Sequence, residues 1–136
     1  MTSVYNLLRE SCGISQAEAA DRVHETRLDT VKSWSSDRRP APGWAINQLQ
    51  SLSRRIRRAG EAYAAGNMNK ALGYYQDALT ACPSSSKAAV NLARTFETMN
   101  NRSAAIRYYR QAAASTESDP HSIQDAKAAL SRLGEN

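Results

Sequence analysis

The ten residues KALGYYQDAL at 70–79 return as AAIRYYRQAA at 104–113. Ala71, Tyr75 and Ala78 recur as Ala105, Tyr109 and Ala112, each 34 residues on. That period restricts the second half to stacked helical hairpins, because one such unit cannot bury its apolar face alone and must cover its neighbour's. The rest of the pattern is also helical. Strand-type alternation is absent, Ala is abundant, and Gly13, Pro40, Pro42, Gly66, Pro83 and Pro120 punctuate the chain.

Outside the repeated segments the hydrophobic spacing predicts five helices. Residues 3–12 place Val4, Leu7, Leu8 and Cys12 on one inward face, closed by Gly13. A second helix opens at Ser15, with Glu18 three residues on forming a capping box, and buries Ala19, Ala20 and Val23. A third covers 27–35 and is anchored by Val31 and Trp34. Residues 37–42, DRRPAP, read as a loop, since each Pro drives the residue before it out of helical geometry. A long helix over 43–65 carries the stripe Leu49, Leu52, Ile56, Ala59 and Tyr63. At ~1.5 Å per residue it spans ~33 Å, and its RRIRR run at 54–58 lets one helix serve both halves. After the repeats, a last helix over 122–133 aligns Ile123, Ala126, Ala129, Leu130 and Leu133.

Charge narrows the partner class. The chain carries a formal +5, and residues 1–60 hold ten Lys and Arg against six Asp and Glu. Residues 61–136 hold eight against seven, so the basic excess lies in the first half and favours a polyanion there. No apolar run reaches the ~18 residues of a membrane span, and Arg9 and Glu10 interrupt the N-terminal apolar stretch, so a cytoplasmic protein is expected. Cys12 and Cys82, far apart and without a CxxC, are expected to be buried thiols. His24 and His121 are isolated, so neither metal nor cofactor is expected.

Three short helices, a basic loop and a longer helix form the layout of a helix-turn-helix domain. On the third helix, Asp29, Thr30, Lys32, Ser33 and Ser36 are candidate DNA contacts, with Asp29, Lys32, Ser33 and Ser36 turned outward. Lys32 can donate to a guanine edge or a phosphate, and Asp29 can accept from a cytosine amino group. Gln16 can meet a phosphate at the positive end of the second helix. Arg27, Arg38 and Arg39 flank the third helix as candidate phosphate clamps. The bland alternative for each is a solvated side chain, and Trp34 reads as core.

The string Ile14-Ser15-Gln16-Ala17-Glu18-Ala19-Ala20 resembles the second-helix signature of the lambda-repressor-like, xenobiotic-response-element family. The string VKSWSSDRRPAP at 31–42 is similar to the W-x-S-G-R-R-x-V-P ending of a branch containing anti-CRISPR-associated autoregulators and antitoxin-like repressors. The resemblance covers about residues 3–55. It implies a dimeric repressor that binds inverted repeats in double-stranded DNA, often in its own promoter.

The second half resembles tetratricopeptide repeats, best over 86–119, where Leu92, Ala93, Phe96, Ala105, Tyr109 and Ala112 hold the packing positions. The first repeat fits with Ile56, Gly60 and Tyr63 at those positions of its first helix, and 122–133 reads as a cap. The expected architecture is all-α: a helix-turn-helix domain at 1–55, a shared long helix, then two tetratricopeptide-like hairpins and a capping helix at 56–136. The resemblance implies protein or peptide binding without catalysis. The Val90, Arg94 and Thr98 face lacks the basic and asparagine pattern of a terminal-carboxylate clamp, which favours self-association. Only one Tyr of each pair needs to face inward, so Tyr74 and Tyr108 are candidate homodimer contacts. Two alternatives stay open: a regulator whose repeats sense a peptide or protein, and an adaptor without DNA binding. An enzyme is not expected, since no Gly-rich phosphate loop, HExxH or Ser/His/Asp set is present.

Overall fold

A computed structural model describes residues 3–36, 38–115 and 119–135. Asp37, within the expected loop, and residues 116–118, at the end of the better repeat, lie outside the described residues. Among the described residues every regular element is helical: α1 (Val4–Ser11), α2 (Gln16–Glu18) running into a π-helical turn (Ala19–Val23), α3 (Leu28–Ser35), α4 (Gly43–Ala64), α5 (Met68–Ala81), α6 (Ser86–Thr98), α7 (Arg102–Ala113) and α8 (Pro120–Arg132). The fold is all-α, with tetratricopeptide-like hairpins after a small helical head.

Side-chain caps start most of these helices. The Ser3, Ser15, Ser85, Asn67, Asn101 and Asp119 side chains each accept a backbone N–H of the turn that follows. At Ser15 the capping box is complete: its hydroxyl accepts from the Glu18 N–H, and the Glu18 carboxylate accepts from the Ser15 N–H, both at 3.0 Å.

The inward face of α1 differs from the expected one. Tyr5 and Cys12 are buried, while Val4 and Leu7 stand in solvent and Leu8 is half-covered. The reason is polar as well as apolar. Tyr5 is both a large ring to bury and a hydroxyl that finds the ring of His24 at 2.9 Å, which an aliphatic side chain could not offer. Ser3 pins the start of α1 by donating to the Ser35 carbonyl, at 3.1 Å.

In the second half α4 pairs with α5 and α6 with α7, and α8 packs on both α6 and α7. The turns repeat in register. Gly66, Asn100 and Gly134, 34 residues apart, all take the left-handed backbone, with φ of 80°, 62° and 78°. Each closes a first helix, so α8 is the first helix of a third unit as well as the cover of α6 and α7. This register corrects the first repeat. Because α4 is unbroken up to the Gly66 turn, Phe96 corresponds to Ala62 and not to Tyr63. Ile56, Ala59 and Ala62 pack inward, and Tyr63 is exposed. Helix α4 also runs without interruption through the boundary expected near residue 55.

Candidate nucleic-acid interface

The turn between the π-helical segment and α3 is built by backbone geometry. The His24 N–H reaches the Ala19 carbonyl at 2.8 Å, Glu25 takes φ +50°, and the Thr26 N–H returns to the Ala20 carbonyl at 2.8 Å. Arg27 then caps α3 in extended geometry. Val31 and Trp34 hold α3 down. The Trp34 ring meets Tyr5, His24 and Trp44 edge-on, with centroids 5.4, 5.7 and 5.7 Å away.

What remains outward on α3 and its flanks is polar and basic. Arg27, Asp29, Lys32, Ser36, Arg38 and Arg39 are exposed, and Thr30 and Gln16 are half-exposed. Arg38 donates from Nε to the Ser36 hydroxyl at 3.1 Å. Among the described residues, Arg27, Lys32 and Arg39 make no ion pair, so the positive charge of this ridge is not neutralised within them.

Ser33 does not join the ridge. It was expected to face outward, but it is buried, and its hydroxyl donates to the Asp29 carbonyl at 3.1 Å. The segment after α3 folds back across it, with the Arg38 and Arg39 N–H groups both donating to the Ser33 carbonyl. That fold-back also places the two arginines beside α3. Two exposed apolar residues were missed. Leu28 opens α3 one turn before Lys32 on the same stripe, 39% exposed, and can meet a thymine methyl. Trp44, at the start of α4, is 50% exposed with one edge against His24 and Trp34. The sequence signal for Leu28 was its place four residues before Lys32. For Trp44 there was none beyond its type.

The N-terminus of α2 has a second neighbour. A cleft of about 330 Å³ beside Ser15 is lined by Glu10 and Asp119 as well as Arg9, which lessens its attraction for phosphate around Gln16.

A larger groove, about 530 Å³, lies along the first helices of the repeats. Its charges are mostly matched within the chain. Arg132 donates twice to Glu97, at 2.7 and 2.9 Å, and Tyr109 donates to the same carboxylate at 2.8 Å. These bonds, Arg132 first, hold the Glu97 carboxyl below its usual range, while burial pushes the Tyr109 hydroxyl up to about 12. Arg94 reaches Asp125 at 3.2 Å, and the Tyr63 and Thr98 hydroxyls meet at 2.7 Å.

The tyrosine pairs split inward and outward. Tyr75 and Tyr109 are buried, and Tyr74 and Tyr108 are half-exposed. Tyr108 is already engaged within the chain: its ring stacks on Phe96 at 5.6 Å and carries the Arg107 guanidinium at 4.9 Å. Tyr74 is partly packed on the core but, among the described residues, makes no such ring contact, and Ala62 stands where Phe96 does in the next repeat. Among the described residues no helix is long and apolar enough to cross a membrane, and no three His, Cys, Asp or Glu side chains gather as a metal site.

Comparison with known proteins gives one family match, to the tetratricopeptide repeat over residues 88–121. That span takes in most of α6, all of α7 and the start of α8. No curated protein and no solved structure matches the chain.

Proposed function

We propose that the chain is a cytoplasmic, sequence-specific DNA-binding regulator, a repressor of the autoregulatory kind. It binds an inverted repeat as a homodimer, works by binding and not by catalysis, and takes protein partners through its repeats. The observation that carries this reading is the ridge on α3. Arg27, Lys32, Arg38 and Arg39 stand exposed around a short helix that its buried Val31 and Trp34 hold rigidly. Such a helix fits the major groove, where Lys32 and Asp29 can read base edges and the arginines can hold phosphates.

The test separates reading from clamping. Binding-site selection on randomised duplex DNA is expected to return a palindrome, and Lys32→Ala and Asp29→Ala are expected to change it at ~1–3 kcal/mol per good contact. Arg39→Ala is expected to weaken all sequences alike and to lower the salt slope by ~0.9. A flat salt dependence, or a motif unchanged in both α3 variants, would remove DNA from the account.

A second reading is favoured by the tetratricopeptide match and the open groove between Tyr63, Arg94 and Arg132: an adaptor that binds protein only. It predicts no duplex binding at low salt, and loss of partner binding on Arg94→Ala with the α3 variants silent.

A further inference from the structure

The stripe Val4–Leu7 on α1 is left uncovered by the fold. Val4 is 68% and Leu7 56% exposed, on the outer side of a helix whose inner side is taken by Tyr5 and Cys12. Two aliphatics one turn apart, both mostly in water, lose about 25 cal/mol for each Å² that a partner could have covered. Beside them runs a cleft of about 310 Å³ between α1 and α4, lined by Leu8, Gln50, Ser53, Arg54 and Arg57. Leu8 is the one aliphatic side chain in its lining, Gln50 and Ser53 are neutral and polar, and Arg54 and Arg57 make one wall cationic. Arg54 has no ion pair among the described residues, and Arg57 only a long one, 3.9 Å, to Glu61.

An occupant of this cleft needs an aliphatic side chain and, about one turn away, a carboxylate. Helix α1 itself meets that description. Leu7 is followed three residues later by Glu10, which is exposed at the edge of the Ser15 cleft and, among the described residues, is bonded or ion-paired through its carboxylate only to Asn6 and Arg9 of its own helix. The surface is therefore complementary to itself, as a two-fold interface must be.

We infer that two copies of the chain pair through α1, each laying Leu7 against the other's Leu8 and Glu10 against the other's Arg54 and Arg57. The tyrosine faces of the repeats then stay free for other contacts. The inference rests on the dimeric reading above and names its surface.

Sedimentation velocity on the full chain without DNA tests it. The parent is expected to show a monomer–dimer equilibrium. Leu7→Glu is expected to weaken it by about thirtyfold or more, as loss of a central apolar anchor does, with unchanged far-UV dichroism because the side chain is exposed. Glu10→Arg is expected to weaken the dimer, and adding Arg54→Glu and Arg57→Glu to it is expected to restore pairing. A dimer that persists in Leu7→Glu would overturn this surface and leave the dimeric regulator standing. A parent that stays monomeric at micromolar concentration would overturn both. A monomer whose Arg54 and Arg57 variants lose DNA affinity would give the cleft to phosphates, and one that loses an acidic peptide would give it to another protein; either overturns the pairing.

Discussion

His24 sits where α1, α3 and α4 converge, and both its ring nitrogens are taken. Nε2 meets the Tyr5 hydroxyl at 2.9 Å and Nδ1 meets the Gln48 side-chain oxygen. A carbonyl oxygen only accepts, so Nδ1 carries the proton and Nε2 accepts from Tyr5. A second proton on the ring would displace that hydroxyl donor among the rings of Tyr5, Trp34 and Trp44. Burial lowers the His24 pKa below 6.5, partly offset by the bond to Gln48. The unfolded chain then binds the proton more readily than the folded one. Stability from this site is complete above pH 6.5 and falls as pH drops below it. The Glu97 carboxyl, lowered from 4.5, adds its loss only in more acid solution. Thermal melts between pH 7.5 and 5 are expected to show a falling Tm assignable to His24, and a Tm flat across that window would contradict the buried neutral ring. At this scale the sequence was a partial guide. Lys32 and Asp29 are outward as their spacing implied. Ser33 is not, because a fold-back of the chain after α3 is a backbone event that helical phase does not contain.

At the scale of the element, the 34-residue period could be read directly from Ala71, Tyr75 and Ala78, since a repeated packing position must keep a repeated size. The phase of α4 was harder. Tyr63 looks apolar on a helical wheel and Ala62 looks indifferent, yet the left-handed residue at Gly66 sets the register and gives Ala62 the inward place. On α1 two overlapping stripes compete, Tyr5–Leu8–Cys12 and the expected Val4–Leu7–Leu8–Cys12. Only the partner across the core, His24, decides between them. The π-helical turn after α2 has no composition signal at all. The turns themselves yield a prediction. Asn100 holds φ +62° where the neighbouring units place Gly, and Asn101 caps α7 by accepting the Ala104 N–H at 3.2 Å. Asn101→Ala is expected to cost ~1 kcal/mol by leaving that N–H without its cap. Asn100→Gly is expected to be neutral or to gain up to ~1 kcal/mol, since Gly reaches the left-handed region without steric cost but gains entropy when unfolded. Urea titration of both variants checks the pair, and a large loss in Asn100→Gly would mean that its side chain, not its backbone, matters.

Across the whole molecule, the head and the repeats are joined by more than the chain itself. Helix α4 passes through both, and a separate polar contact binds α2 to the turn between α5 and α6. Glu18 is buried, and its two oxygens are shared between the halves: Oε1 accepts the Ser15 N–H that starts α2, and Oε2 accepts the Ser84 hydroxyl. Around it, Lys87 donates to the Ser11 carbonyl at 2.7 Å, and Lys87 packs so closely on Gly13 that an added Cβ would lie 2.9 Å from it. Cys82, buried beside Glu18, has its thiol pushed up to about 11 by that burial, which keeps it neutral next to the carboxylate. The capping box was legible in the sequence, but its second use was not, because Ser84 lies 66 residues away and carries no pattern linking it to Glu18. Glu18→Ala removes both bonds at once, leaving the first turn of α2 without its reciprocal cap and the Ser84 hydroxyl without its acceptor. The expected loss exceeds the ~1 kcal/mol of a cap alone. Because the contact spans both halves, calorimetry of the parent is expected to show a single unfolding transition, and that of Glu18→Ala one transition at lower temperature or two that have come apart. A parent that already melts in two steps, with Glu18→Ala moving only the first, would mean that the Glu18 contact does not couple the head to the repeats.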